Sequence, residues 1–180
     1  MNIWFSCSKT KYASEIYSPE NIIWCPAKDR RGCESHYRVI REVKIGDLIL
    51  IAPDRILRGV AKAKSEAYIS NLRPENAENY KYGENFFHLP LTNFQPFPSV
   101  FPLLNLLNKN KEDLVAEIEG FRPKYYLFSW QPPNNFFPEG RLQFAQGRFI
   151  AKATDKMIKL LFKQIDPLWQ DIITKSIKIE

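Results

Sequence analysis

The hydrophobic positions of this 180-residue chain change period often, so the predicted elements are short and of mixed type. Residues 2–6 alternate around Trp4 and predict a strand. Residues 9–17 read as a short helix, stopped by Ser18 and Pro19. A second apolar run over 21–25 closes at Pro26, and the polar stretch 27–35 predicts an exposed loop. A helical turn over 38–43 leads through Lys44-Ile45-Gly46-Asp47 into a strand at 48–52. Pro53-Asp54 signals a turn, and 55–68 predicts a long return strand, which makes the pair a hairpin. Along that strand Arg58, Val60, Lys62 and Lys64 share one face. Leu57, Gly59, Ala61 and Ala63 share the other, and this small-residue face is the one expected to be buried in a tightly curved sheet.

The second half is more broken. Residues 70–84 are polar and predict a loop, with Tyr68, Tyr80 and Tyr82 at or near its ends. A strand is predicted at 85–91. Pro96 and Pro98 lead to a helix that opens at 99–102 and ends near Lys109. A helical turn follows over 112–118, with Gly120 as its stop. Strands are predicted at 125–130 and 141–151, on either side of a Pro/Asn-rich excursion at 131–140. Thr154-Asp155 caps a terminal helix whose Met157, Leu160, Leu161 and Ile165 fall at helical spacing. With no repeat and no βαβ rhythm, the order predicts a single α+β domain over 1–180. Antiparallel hairpins suit it better than a parallel doubly wound sheet.

Composition narrows the class. A hydrophobic share of 44% with 26% charged residues is that of a globular domain with a real core. No apolar run approaches the roughly 18 residues of a membrane-spanning helix. The first residues lack the pattern of a secretory signal, so a cytoplasmic protein with no membrane partner is expected. Cys7, Cys25 and Cys33 are an odd number without a Cys-x-x-Cys pair, which predicts thiols rather than disulfides. Cys25, Cys33 and His36 make an incomplete metal set that Cys7 or His88 would have to finish, so neither metal nor cofactor is expected. The formal charge of +6 permits an anionic partner. Residues 28–44 concentrate it, with Lys28, Arg30, Arg31, Arg38, Arg41 and Lys44 against Asp29, Glu34 and Glu42. That stretch is a candidate phosphate-contacting edge.

Motifs for catalysis are absent: there is no glycine-rich phosphate loop, nucleophile elbow or His-Glu-x-x-His helix. Two histidines and scattered carboxylates give no local triad. Aromatic residues make up 14% of the chain. Most of them, Phe86, Phe87, Phe101, Phe128 and Phe162 included, occupy core positions. Trp4 and Trp24 differ. Each ends a short strand beside small or polar residues, Ser6 and Ser8 in the first case and Cys25-Pro26 in the second. An indole beside hydroxyls suits a planar polar ligand, with the ring for stacking and the hydroxyls for the ligand's edge.

Ile3-Trp4-Phe5-Ser6-Cys7-Ser8 resembles the first strand of YTH domains and of the related EVE domains. Trp24, His36-Tyr37 and the run from Glu42 through Lys44-Ile45-Gly46-Asp47 to Leu50 follow the EVE-like order. Arg58-Gly59-Val60-Ala61-Lys62-Ala63-Lys64-Ser65-Glu66-Ala67-Tyr68 looks like the strand that comes next, and Gln146-Gly147-Arg148-Phe149 is similar to the closing segment of EVE-like domains fused to McrB-type restriction motors. The resemblance is carried by the first 70 residues and is thin over 70–140. It implies a PUA-like, curved, mostly antiparallel β-barrel with short helices around it and a C-terminal helix. It also implies a non-catalytic reader that flips a methylated base from double-stranded DNA into an aromatic cage. Trp4 and Trp24 are then two walls, with Tyr37 and Tyr68 as candidates for the third. Ser6 and Ser8 read the base edge, and Lys28, Arg30, Arg31, Arg38, Arg41 and Arg148 hold phosphates. The first strand tilts the ligand towards 6-methyladenine over 5-methylcytosine. The closing segment implies a targeting module working with a fused or associated nucleotide-hydrolysing motor and nuclease. Two other readings stay open on the residues: a reader of modified or single-stranded RNA, and a small ASCH-type nucleic-acid-processing enzyme using a Lys and a carboxylate.

Overall fold

The run Leu48-Ile49-Leu50-Ile51 offers no polar side chain to solvent, and the fold is built around it as a strand buried on both faces. The computed structural model describes residues 1–9, 21–28, 36–74, 77, 84–92, 94–121, 123–145 and 149–178. Its strands are β1 (Ile3–Ser6), β2 (Ile22–Pro26), β3 (Leu48–Ile51), β4 (Ile56–Lys62), β5 (Tyr68–Ser70), β6 (Phe86–Pro90), β7 (Gln95–Pro102), β8 (Phe128–Gln131), β9 (Arg141–Phe144) and β10 (Ile150–Ala153). The helices are α1 (Leu103–Lys109), α2 (Lys111–Phe121), α3 (Asp155–Phe162) and α4 (Pro167–Lys178), with 3-10 segments at His36–Glu42 and Pro53–Arg55.

Five strands form one sheet in the order β10-β1-β3-β4-β7, three form a second in the order β2-β6-β5, and β8 pairs with β9. Among the described residues every strand pair is antiparallel except β1 with β3. A bridge between Ala63 and Leu91 joins the first two sheets at a corner. There Lys62 N donates to Thr92 Oγ1, and Thr92 N donates to the Lys62 carbonyl. The architecture is α+β as expected, with mostly antiparallel sheets. Among the described residues β10 and β2 do not pair, so the sheets do not close into a complete barrel.

The large sheet separates two cores. On one face Phe5, Leu48, Leu50 and Val60 pack with apolar residues of the helices and of β8–β9. On the other, Trp4, Ile49, Ile51, Ala61 and Ile150 meet Ile23, Cys25, Phe87 and Leu89 of the small sheet. Val39, Ile40 and Val43 of the 3-10 segment join this second core. Each fully buried Leu or Ile stabilises the fold by about 1.5–3 kcal/mol, so four of them in β3 make it a strong anchor.

Several predicted elements shift for physical reasons. Strand β4 is buried on both faces, so Val60 lies in the first core and Ala61 and Ala63 in the second. A register shift between Leu57 and Gly59 puts Leu57 beside Val60 in the first core, against simple alternation. The predicted strand 55–68 also divides, because the chain bends after Ala63 and Tyr68 begins β5 in the other sheet. The predicted helix start at 99 is still strand, and α1 begins at Leu103. Pro96, Pro98 and Pro102 are tolerated there because β7 is an edge strand. Gly120 does not stop α2, which runs to Phe121. Strand 141–151 is two strands in different sheets, and the C-terminal helix is two helices. Asp166 starts the second by accepting the Leu168 amide at 2.8 Å, with Pro167 at its first position. The predicted helix at 9–17 lies almost wholly outside the described residues. No helix of the described residues is long and apolar enough to cross a membrane.

Candidate nucleic-acid interface

Trp4 is held by a buried carboxylate. The sequence Lys44-Ile45-Gly46-Asp47 makes a turn in which Gly46 takes φ +83°, and Asp47 N donates to the Lys44 carbonyl at 3.0 Å. The turn delivers Asp47 into the protein, where its carboxylate accepts Asn2 N at 2.6 Å, Trp4 Nε1 at 2.9 Å and Lys44 N at 3.0 Å. Burial alone raises the Asp47 carboxyl's pKa, but the amides of Asn2 and Lys44 and the Trp4 indole outweigh it and hold the pKa below the usual value. Trp4 is only 2% exposed and its indole N–H is used by Asp47. The Lys152 ammonium lies 6.0 Å above its ring.

Ser6 follows Trp4 on the same face of β1 and is fully buried, whereas Ser8 beyond the strand is partly exposed. The end of β1 is tied on both sides through its backbone. Cys7 N donates to the Phe149 carbonyl at 2.6 Å, Ala52 N to that of Ser6 at 2.7 Å, and Asp54 N to that of Ser8 at 2.8 Å.

Trp24 lies elsewhere. Ile23 and Cys25 on either side of it enter the second core, so alternation turns Trp24 to the opposite face of β2, into a cluster with Ile22, Ala77 and Phe86. In register across the small sheet, Trp24 pairs with His88 and His88 with Tyr68. Side chains at paired positions share a face, so the three make one row across β2, β6 and β5. The Tyr68 and His88 rings are 5.6 Å apart, and Trp24 meets Phe86 edge-on at 5.7 Å. Tyr68 is 50% exposed, Trp24 7% and His88 6%, so the row opens at the Tyr68 end. The Arg73 guanidinium, 5.5 Å over the Phe86 ring, borders it.

The structure therefore brings Trp24 and Tyr68 together and sets Trp4 with Ser6 in a different cluster. Lys28, Arg38 and Arg41 are exposed, and Arg41 lies 6.0 Å over Phe87. Arg30, Arg31, Arg148 and the Tyr37 side chain lie outside the described residues, as do Cys33 and the His36 side chain. Cys25 is buried, its thiol pushed well up by burial, and it faces away from His88. Among the described residues no three His, Cys, Asp or Glu side chains gather to hold a metal.

Sequence reasoning missed three groups. His88 joins the aromatic row only through strand register, which alternation within one strand cannot supply. Tyr125, partly buried against the second core with φ +60°, hydrogen-bonds Glu42 at 3.4 Å, and Lys124 lies 3.8 Å from the same carboxylate. Arg55 sits in the β3–β4 turn with its guanidinium 4.3 Å over the Phe144 ring.

No protein-family model matches the chain, and no curated protein matches it. Among solved structures it is similar to the human THYN1 protein in complex with 5-methylcytosine-containing DNA, with 13% identity over 93% of this chain and 100% of that one, at a TM-score of 0.49. The DUF55 domain of human thymocyte nuclear protein 1 gives 12% identity over 91% of this chain and 99% of that chain, at 0.48. A Rhodopseudomonas palustris protein solved by NMR gives 12% identity over 91% and 92%, at 0.42.

Proposed function

We propose that this chain is a non-catalytic PUA-like reader of DNA carrying a modified base, and that the base stacks in the row formed by Trp24, His88 and Tyr68. The observation that carries the reading is that row: three ring side chains in strand register, open at Tyr68 and buried at Trp24. A ladder of this kind suits a flat ring extruded from a duplex. Extrusion costs a few kcal/mol, and stacking on an aromatic returns about 1–3 kcal/mol per base. Contacts of exposed Lys28, Arg38 and Arg41 with phosphates make up the balance, so affinity falls steeply with salt. Trp4, sealed against Asp47, acts as a positioning residue that fixes the end of β1, where Ser6 and Ser8 lie.

The proposed ligand is 6-methyladenine in preference to 5-methylcytosine, following the YTH-like first strand. The proposed setting is the targeting module of a modification-dependent restriction system. A solved neighbour is in complex with 5-methylcytosine-containing DNA, so both modifications enter the assay. The test is fluorescence anisotropy on duplexes with 6-methyladenine, 5-methylcytosine or neither, with matched RNA as competitor. A methyl group buries apolar surface worth about 0.8 kcal/mol, roughly a fourfold preference before any edge contacts. Tyr68→Ala, at a half-exposed position, folds normally and loses the preference; Trp24→Ala does the same where its melting curve stays cooperative. A folded Tyr68→Ala with the full preference for modified duplex refutes the row as the base site. Preferential binding of the RNA competitor moves the ligand class to RNA.

A further inference from the structure

We infer that the β3–β4 hairpin is a phosphate clamp, in which Arg55 and Arg58 hold the nucleic-acid backbone away from the base site; the inference rests on the nucleic-acid reading above. Three features carry it. The first is a turn with no glycine where the backbone favours one. Asp54 and Arg55 are consecutive at φ +50° and +65°, with Ile56 N donating back to the Pro53 carbonyl. Two central residues with positive φ define a type I′ turn, which normally selects Asn-Gly or Asp-Gly. An arginine in this conformation is strained, and here the strain is held by Arg55 N donating to Ala52 O at 3.0 Å and Asp54 N to Ser8 O at 2.8 Å.

The second feature is what that backbone does with the side chain. The Arg55 guanidinium is exposed and lies 4.3 Å over the Phe144 ring, a cation–π contact that fixes its position. Such a contact leaves the N–H donors at the guanidinium edge for another acceptor. Among the described residues no carboxylate accepts them.

The third is Arg58, three residues further along the same hairpin. Among the described residues its buried Nε has no hydrogen-bond partner and its side chain no ion pair. A donor withdrawn from water without an acceptor is costly, and a guanidinium meets that cost best with a bidentate oxyanion. A rotation of this flexible side chain that turns the Nε edge onto a phosphate recovers the lost bond. Two guanidiniums on one hairpin, with no acceptor among the described residues, are thus set for phosphate oxygens, and the turn that carries Arg55 is tied to the Ser8 end of β1.

The test compares wild type with Arg55→Gln, Arg58→Gln and the double variant on an unmodified duplex, across a salt series. Each lost phosphate contact lowers the slope of log affinity against log salt by about 0.9, so the double variant loses close to two. Its ratio of modified to unmodified binding stays as in wild type, the reverse of Tyr68→Ala. An unchanged slope in a double variant that melts like wild type overturns the clamp. A second arm follows the Arg55 and Arg58 Nε–H signals by NMR as inorganic phosphate is added. Should wild type bind no duplex at all, the function proposed above fails, and this arm alone decides the clamp: no shift overturns it. Shifts with inorganic phosphate beside an unchanged duplex slope identify a free-phosphate site and overturn the nucleic-acid backbone as its ligand.

Discussion

Replacing Asp47 perturbs the fold at a point where its effect can be worked out bond by bond. Its carboxylate accepts from Asn2 N, Trp4 Nε1 and Lys44 N at 2.6, 2.9 and 3.0 Å. Hydrogen bonds to a buried charge contribute about 1.5–3 kcal/mol each, and three in isolation would exceed 4 kcal/mol. The Asn2 and Lys44 amides are only part-buried and recover water when the acceptor goes, whereas the Trp4 indole, 2% exposed, does not. Asp47→Ala therefore costs about 3–5 kcal/mol, the full worth of the charged hydrogen bond to the buried indole and a part of each of the other two. For a domain of this size that lowers Tm by about 6–20 °C. Asp47→Asn loses nearly as much, because its amide turns donors towards a site already supplied with donors. The sign of the pH dependence follows from the lowered carboxyl. The stabilisation is fully present above the unfolded value, about 3.9, and is lost as pH falls through the lower folded value. Thermal melts followed by circular dichroism should keep a constant gap between wild type and Asp47→Asn from pH 7 to about 5, then narrow below about 4. An Asn variant melting within about 2 °C of wild type at pH 7, or a gap that widens in acid, refutes the reasoning.

Other positions offer independent checks. Thr154 Oγ1 accepts Met157 N at 3.1 Å at the start of α3, so Thr154→Ala costs about 1 kcal/mol in urea unfolding and Thr154→Ser much less. Gly140 has φ +70°, and a Cβ there would lie 2.0 Å from Cη2 of Trp130; Gly140→Ala displaces that indole and breaks its 2.9 Å bond to Glu119, read as a shift in tryptophan fluorescence. The buried Trp169 Nε1 has no partner among the described residues, whereas the Trp4 Nε1 has Asp47. Trp169→Phe should thus cost at least about 1 kcal/mol less than Trp4→Phe, and equal costs would contradict the hydrogen-bond accounting.

What was legible in the sequence was local. The run 48–51, the Gly46 turn into it and the Thr154 cap are short-range signals, and all three stand in the structure. The break before α4 was equally readable, because Asp166-Pro167 is a helix start, but the apolar spacing through Ile165 masks it. The resemblance names Trp24 and Tyr68, but their alignment in one row was not legible, because it depends on register. Trp24 and Tyr68 meet only through His88 on an intervening strand, and no spacing along the chain encodes that alignment. Trp4 and Trp24 look alike as strand-end indoles, yet one points between the sheets and the other out of them. An acid 43 residues downstream decides where the first indole's N–H goes.

Strand β3 contributes Leu48 and Leu50 to one core and Ile49 and Ile51 to the other. A wall shared in this way leaves neither half of the molecule a separate unit of unfolding. Opening the helical side strips β3 of half its cover and exposes the sheet-to-sheet side as well, so amide hydrogen exchange at 48–51 should proceed only by global unfolding. Cutting a cavity on either side, as Leu50→Ala or Ile49→Val would, then speeds exchange in both halves by the same factor.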